Sequence, residues 1–296
     1  MGTIGFIGLG IMGIGMASNL VRKQPDTVLG FDLVPALRDR FAAHGGQPVE
    51  NVEEIAKNCP LIFLSLPSNK AVESSVESIL SAAKPGTIIV DLSSTAPSLI
   101  RELSKKAAEK GLHLLDSPVS GAEARAADGT LVIMCGGEEA VYETVLPYLK
   151  MLGPDVFYMG GSGSGNVCKL VNNVIVGGNL DIACEAIAFG RKAGLDPAKL
   201  WEVVRGGAAQ SFMLDVRGPK IVNHDFSPSA PVRLHLKDVN NALQLADEIG
   251  VELPLTNVIK EHLGWLKEQG FENEDHSALY RYYEHAMGVA DEEDQG

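Results

Sequence analysis

The sequence is poor in the residues that build covalent or metal-held frameworks. Its four cysteines, Cys59, Cys135, Cys168 and Cys184, form no CxxC pair and lie in apolar or helical contexts. Reduced, buried thiols in a cytoplasmic protein are therefore expected, not a disulfide scaffold. Seven histidines are scattered without HExxH or comparable ligand spacing, so no metal is expected. Basic side chains are outnumbered, 25 against 38 acidic, and the net charge of −13 argues against nucleic acid or an anionic membrane surface as partner. Any anionic substrate must be held by local groups working against that field. Aromatics make up only 6%, but hydrophobic residues reach 45%, and 296 residues suffice for one large or two ordinary domains. No internal repeat or low-complexity segment is visible, and Asp291-Glu292-Glu293-Asp294 reads as a solvated, frayed end.

Long uncharged apolar runs are also scarce, the main exception being "TIGFIGLGIMGIGMASNLV", residues 3 to 21. An export signal would place positive charge before the run, whereas Arg22 and Lys23 follow it. As a membrane helix it is barely long enough, and its many glycines each cost about 1 kcal/mol relative to Ala. No two of them are four apart, so a GxxxG packing face is missing. Strand, turn and helix is the better reading. Thr3 to Ile7 is a β-branched apolar run, Gly8-Leu9-Gly10-Ile11-Met12-Gly13 is GxGxxG, and helical character runs from Gly13 to Arg22. Gly8 then permits a tight turn, Gly10 lets the backbone approach a pyrophosphate, and Gly13 lets the helix pack closely on the strand. A lone GxGxxG is a weak signal. An acidic residue about 20 positions on strengthens it, and Asp32 closes the next apolar run, Thr27 to Phe31. There it can accept hydrogen bonds from an adenosine ribose and repel a 2′-phosphate, which favours NAD. Arg38 and Arg40, read as solvated surface charges, leave NADP open.

Up to about residue 160, short apolar runs alternate with amphipathic stretches. "LIFLSLP" (61 to 67), "GTIIVDLSS" (86 to 94), "HLLDSPVS" (113 to 120), "GTLVIMCGG" (129 to 137) and "DVFYMG" (155 to 160) read as strands. That alternation predicts an α/β domain with a largely parallel sheet, with ligands beyond the carboxyl ends of its strands. Leu66, Pro67 and Thr95 follow two such ends and should face the nucleotide. The turn-forming "GGSGSG" (160 to 165) precedes a long apolar-periodic helix interrupted by Gly177-Gly178. The rest reads as helical, with breaks near Pro197, Gly206-Gly207, Pro219, Pro231, Pro254 and Gly270. The predicted organisation is a Rossmann domain over 1–163 and an all-α domain over 164–296, joined through the long helix.

Three stretches carry candidate chemistry. Lys169 and Asn173, four apart, share one face of the long helix among Val167, Leu170, Val171 and Val174. The lysine is either a snorkelling stem with a wet head or a functional ammonium in an enclosed cleft. Because the helix begins right after the nucleotide domain, its first turns should reach an interdomain cleft. Enclosure would lower the lysine's pKa toward neutrality, as suits a general acid that protonates an alkoxide. Ser120, Gly121 and Ala122 follow a strand end, either as a plain polar turn or as a nest of hydroxyl and amides for a carboxylate. In "HLKDVNNA" (235 to 242), Lys237 and Asp238 are read as opening a helix, where acid belongs but Lys does not. His235 receives no role.

Together these stretches resemble the β-hydroxyacid dehydrogenase family, the group of 3-hydroxyisobutyrate dehydrogenase and tartronate semialdehyde reductase, over nearly the whole chain. "GFIGLGIMG" is similar to the family's dinucleotide motif and "DSPVSGAEARAADGT" to its substrate segment. "GGSGSGNVCKLVNN" fits its GxxGxGxxxKxxxN motif, and "KDVNNAL" its cofactor-contacting KD segment. The resemblance implies Lys169 as catalytic acid/base assisted by Asn173, with Ser120, Gly121 and Ala122 on the substrate carboxylate. It further implies that Lys237 contacts the cofactor or closes over the site, and that the chain forms a homodimer or homotetramer through its helical domain. Ala122 stands where the family usually has a second glycine, which keeps the amide but restricts φ. "RGGAAQS", "LHLKD" and "DHSALYRYYE" are more similar to the reductase branch, implying NADH-dependent reduction of 2-hydroxy-3-oxopropanoate to glycerate. Enzymes for 3-hydroxyisobutyrate, 2-(hydroxymethyl)glutarate or small semialdehydes are the alternatives, since a few pocket side chains decide among them. A non-catalytic nucleotide-binding sensor on the same fold is the competing class, although such a protein could dispense with Lys169.

Overall fold

A computed structural model describes residues 2–289, so the acidic stretch 291–294 lies outside the described residues. The chain divides into two compact units, residues up to Lys169 and residues from Leu170. In the first, strands and helices follow one another as β1 (Ile4–Ile7), α1 (Ile11–Lys23), β2 (Val28–Phe31), α2 (Pro35–Ala43), β3 (Gln47–Pro48), α3 (Val52–Asn58), β4 (Leu61–Leu64) and α4 (Asn69–Ala82). They continue as β5 (Ile88–Asp91), α5 (Pro97–Glu109), β6 (His113–Asp116), β7 (Val119–Ser120), α6 (Ala122–Asp128), β8 (Val132–Gly136), α7 (Glu139–Leu152) and β9 (Asp155–Gly160).

Every residue of β1, β4 and β5 is buried, because helices cover both faces of the sheet. Alternate side chains feed two cores. Phe6, Phe63 and Val90 join Leu20 and Leu149 on one face, while Ile7, Ile62 and Ile89 join Ile55, Ile100 and Leu103 on the other. Local chemistry starts the helices. The side chains of Asn51 and Ser68 cap α3 and α4, and a proline opens α2 and α5.

The sheet order is β3-β2-β1-β4-β5-β6-β8-β7, with β9 on β8. Strands β1 to β6 are parallel, as the alternating pattern predicts. The far edge is not, since β8 pairs antiparallel with both β6 and β7. Residues 113–120, expected as one strand, split into β6 and β7 at Ser117-Pro118; proline has no N–H to give a ladder. The two-residue β3 had no sequence signal. Because β1 lies between β2 and β4, the winding direction reverses there, and the crevice beyond the carboxyl ends of β1 and β4 is where such sheets take ligands.

The second unit is helical: α8 (Ser164–Lys192), whose first turns belong to the first unit, then α9 (Pro197–Arg205), α10 (Phe212–Val222), α11 (Val232–Glu248), α12 (Pro254–Glu268), a 3₁₀ turn (His276–Ala278) and α13 (Leu279–Met287). Leu180, Cys184 and Ile187 of α8 pack with Ile221, Val239, Leu263 and Tyr280. Three expectations need correction. Gly177-Gly178 do not interrupt α8, which runs unbroken for 29 residues because Gly177 is a packing position against His235. Pro219 lies inside α10, near enough to its end to remove little of the hydrogen-bond ladder, and the Asn223 amide caps its carbonyl at 2.8 Å. Lys237 and Asp238 do not open α11, which starts at Val232 because Pro231 supplies a fixed φ of −58° just before it. Among the described residues no helix is long and apolar enough to cross a membrane.

Candidate active site

The β1–α1 loop is shaped by two glycines that nothing else could replace. At Gly8 φ is +94° and a Cβ would lie 2.2 Å from the Ser65 carbonyl oxygen; at Gly13 a Cβ would lie 1.9 Å from the Gly8 carbonyl oxygen. A Cβ at Gly10 would meet nothing within 4 Å, so this side of the loop is open. The first turn of α1 carries no acidic residue, and amides at a helix start have no partner within the helix. That combination fits a pyrophosphate. Leu9 is buried, Met12 half-buried and Ile11 exposed at the same loop.

Asp32 follows β2, and its carboxylate accepts from the Leu9 amide at 2.8 Å and the Val34 amide at 2.9 Å. It thereby ties the glycine loop to the second strand end, and each oxygen retains a lone-pair direction for a ribose hydroxyl. Arg38 is not the solvated charge expected. Its guanidinium donates to the Asp32 carbonyl at 2.9 Å, pairs with Glu50 at 3.2 Å and lies over the Phe31 ring, since α2 turns it back onto β2. Arg40 is exposed.

Beyond β4, the Leu66 amide donates to Ser93 Oγ at 2.8 Å, and Pro67 is exposed. Thr95 is buried. Its hydroxyl donates to Asp91 at 2.6 Å and its amide to Asn166 Oδ1 at 2.9 Å, so the hydroxyl proton is already committed. Asp91 and Asp116 are register partners at the ends of β5 and β6, both fully buried. The Asp116 carboxylate accepts from the Gly163 amide at 2.8 Å and the Asn166 amide at 2.7 Å, holding the start of α8. Burial pushes the Asp116 carboxyl up to about 6; the two amides pull it down, and Asp91 adds to the rise. Cys135 behind it is pushed up to about 12 by burial, so it is no nucleophile.

Ser120 and Gly121 are half-buried, and Ala122 is exposed. Gly121 takes φ +144°, and Ala122 itself sits at φ +60°, in the left-handed region. For an alanine that conformation costs about 1 kcal/mol more than for glycine. The loop therefore keeps the backbone shape a second glycine would adopt freely.

Lys169 is half-buried on α8, three residues after Asn166 and four before Asn173. In the second unit, Asn173 Nδ2 donates to Asp238 Oδ2 at 2.7 Å, and Lys237 Nζ lies 3.0 Å from Asp238 Oδ1. Asp238 thus joins two residues singled out in the sequence, Asn173 and Lys237, although the sequence pointed to it only as a helix-start acid. His235, given no role, is buried with its ring nitrogen 3.0 Å from His276. Asp91, Asp116 and Asn166 were also missed. Their signal was available for the acids, as each closes an apolar strand and stands in line with the other. A cavity of about 320 Å³ in the second unit is lined by Ile182, Ala183, Leu200 and Val204 among others, with no titratable group in its wall, and so offers no acid or base.

Residues 3–160 match the family described as the NAD binding domain of 6-phosphogluconate dehydrogenase. Residues 163–283 match that described as NAD-binding of NADP-dependent 3-hydroxyisobutyrate dehydrogenase. The chain is 38% identical to 2-(hydroxymethyl)glutarate dehydrogenase of Eubacterium barkeri, over 97% of this chain and 96% of that protein. It is 37% identical to 2-hydroxy-3-oxopropionate reductase of Escherichia coli, over 95% and 97% respectively. A solved structure of Mycobacterium tuberculosis 3-hydroxyisobutyrate dehydrogenase with L-serine superposes with a TM-score of 0.86 at 28% identity, covering 95% of this chain and 98% of that one. The chain belongs to the NAD(P)-dependent β-hydroxyacid dehydrogenase family. It is an oxidoreductase, and the sensor reading falls.

Proposed function

We propose that this enzyme reduces 2-hydroxy-3-oxopropanoate to glycerate with NADH, and catalyses the reverse. The observation that carries the chemistry is the placement of Lys169 on the first turns of α8, three residues after Asn166, which is bonded to Thr95 beyond β5 and to Asp116 at the end of β6. Bound along the Gly8–Gly13 loop, with its ribose at Asp32 and its nicotinamide side near Leu66, Pro67 and Thr95, NADH would supply a hydride to the aldehyde carbon. As the carbonyl π pair moves onto oxygen, the Lys169 ammonium stabilises the growing charge and gives up a proton to form the alcohol. In the oxidative direction the neutral amine takes that proton back. The Ser120 hydroxyl and the Gly121 and Ala122 amides hold the substrate carboxylate. Asn173, fixed by Asp238, orients the substrate or the ammonium, and Lys237 contacts the cofactor.

NADH is preferred to NADPH because Asp32 repels a 2′-phosphate and Arg38 is already committed to the Asp32 carbonyl and Glu50. The substrate rests on the 37% identity to the Escherichia coli reductase and on the "RGGAAQS", "LHLKD" and "DHSALYRYYE" segments. A second reading, 2-(hydroxymethyl)glutarate, draws on the 38% relative and on Arg125, a cation whose side chain packs against Gly121. The chain also self-associates as a dimer or tetramer. Val171, Ile175, Ile182 and Phe189 form an exposed apolar stripe along α8, each more than half exposed.

A substrate panel read by NADH absorbance decides. The expected kcat/KM order places 2-hydroxy-3-oxopropanoate at least tenfold above 2-methyl-3-oxopropanoate and 2-formylglutarate, with NADH above NADPH. A glutarate semialdehyde in first place would establish the second reading, and a clear NADPH preference would overturn the role of Asp32.

A further inference from the structure

We infer that Asp116 is a positioning residue for the reaction: by fixing the first turn of α8 it sets where Lys169 presents its ammonium to the substrate held at Ser120. The inference rests on Lys169 being the acid/base.

The geometry leaves α8 little freedom at its start. One carboxylate receives two backbone amides, Gly163 at 2.8 Å and Asn166 at 2.7 Å, a charge-assisted cap supplied from another element. The turn it caps also lies directly on the sheet. A Cβ at Gly165 would fall 2.3 Å from the Met134 carbonyl oxygen and 2.6 Å from that of Asp116, and one at Gly136 would fall 2.7 Å from Asp116 Oδ1. The Asn166 side chain then accepts the Thr95 amide at 2.9 Å, so the same turn is tied to the end of β5 as well.

The chain runs from Asp116 through Ser117 and Pro118 into β7, which ends at Ser120 and is held to β8 through Val119–Ile133 and Ser120–Val132 pairing. One residue therefore anchors two parts whose separation matters for proton transfer: the loop that holds the carboxylate and the turn that carries the ammonium. Lys169 follows Asn166 by three positions, on the same helical face. A misplacement of about 1 Å can cost a hundredfold in rate. A carboxylate suits this task better than the isosteric amide, because asparagine has one acceptor oxygen and would turn its NH₂ toward the other amide donor.

A cycle of Asp116→Asn, Lys169→Ala and the double variant tests this. Asp116→Asn should lower kcat by about tenfold to a hundredfold with little change in substrate KM and no change in the NADH Kd from fluorescence titration. The double variant should be no slower than Lys169→Ala alone, because both changes remove one function. Hydrogen exchange of the cofactor-free protein should accelerate at the Gly163 and Asn166 amides and not across β1 or β4. Additive losses, or a folded Asp116→Asn with unchanged kcat, would overturn the inference. Should Asp116→Asn fail to fold, Asp116→Ser takes its place in the cycle. It withdraws the carboxylate from the Gly163 and Asn166 amides with a smaller side chain, and an unchanged kcat in the folded variant is equally fatal. Near-normal turnover in Lys169→Ala would remove the acid/base assignment first, and this inference with it.

Discussion

Burial raises the Asp116 carboxyl from its ordinary value to about 6, with Asp91 from β5 acting in the same direction and the Asn166 and Gly163 amides opposing both. Cys135, facing it from β8, stays a neutral thiol. Between the unfolded value of about 3.8 and about 6, the folded chain holds a proton that the unfolded chain has released. Stability from this group is thus fully present below the lower value and is lost as pH rises through the upper one. Two units correspond to on the order of 3 kcal/mol. Relative to Asp116→Asn, which cannot titrate, the wild type should gain about that much unfolding free energy between pH 7 and pH 4 in denaturant titrations. A difference that stays flat with pH would mean that Asp116 ionises normally. At this scale the sequence was legible where a residue type serves one purpose, as at Gly8 and Gly13, whose neighbours forbid any side chain. It was not legible for Arg38, Asp116 or Asp238. Whether a charged side chain is solvated or held by a carbonyl, a backbone amide or another side chain depends on where the fold brings its partners, and single-residue chemistry does not name them.

Helix α8 shows how an element reconciles propensity with packing. Gly177 and Gly178 are neighbours in one unbroken helix, and each costs about 1 kcal/mol relative to Ala. Their surroundings differ. A Cβ at Gly177 would lie 2.8 Å from His235 Nε2, on a ring already held by His276, whereas a Cβ at Gly178 meets nothing within 4 Å. Overpacking typically costs about 1–3 kcal/mol and outweighs the propensity gain at the first site. Gly178→Ala should therefore raise the unfolding free energy by about 1 kcal/mol, and Gly177→Ala should lower it by a similar amount. Thermal denaturation of the two variants checks this, and equal shifts of one sign would refute the packing argument. Elements with a strong hydrophobic period were readable, including β1, β4, β5 and α8. The start of α11 was not, because Pro231 was read as a break when it begins a helix. Pro118 had the opposite fate, dividing what the apolar pattern presented as one strand.

Across the whole molecule, the fold class, a Rossmann-like sheet followed by a helical region, and the family were visible because four motifs stood in order. The substrate was not, because relatives at 38% and 37% identity are named for different hydroxyacids, and a few pocket side chains suffice to decide among such substrates. The exposed α8 stripe leads to one prediction about assembly. Light scattering at micromolar concentration should give the mass of a dimer or tetramer, and Ile182→Glu should shift it toward monomer; a monomeric wild type would reject it. The central claim is that Lys169 delivers the proton. General acid catalysis is worth about 10² to 10⁴ in rate, so the most direct measurement is kcat of Lys169→Ala with NADH and 2-hydroxy-3-oxopropanoate, alongside its NADH Kd. The account predicts at least about a hundredfold loss of kcat with cofactor affinity intact, and no rescue by Lys169→Arg, whose guanidinium cannot release the proton. A folded variant that binds NADH and turns over at a near-normal rate would contradict it.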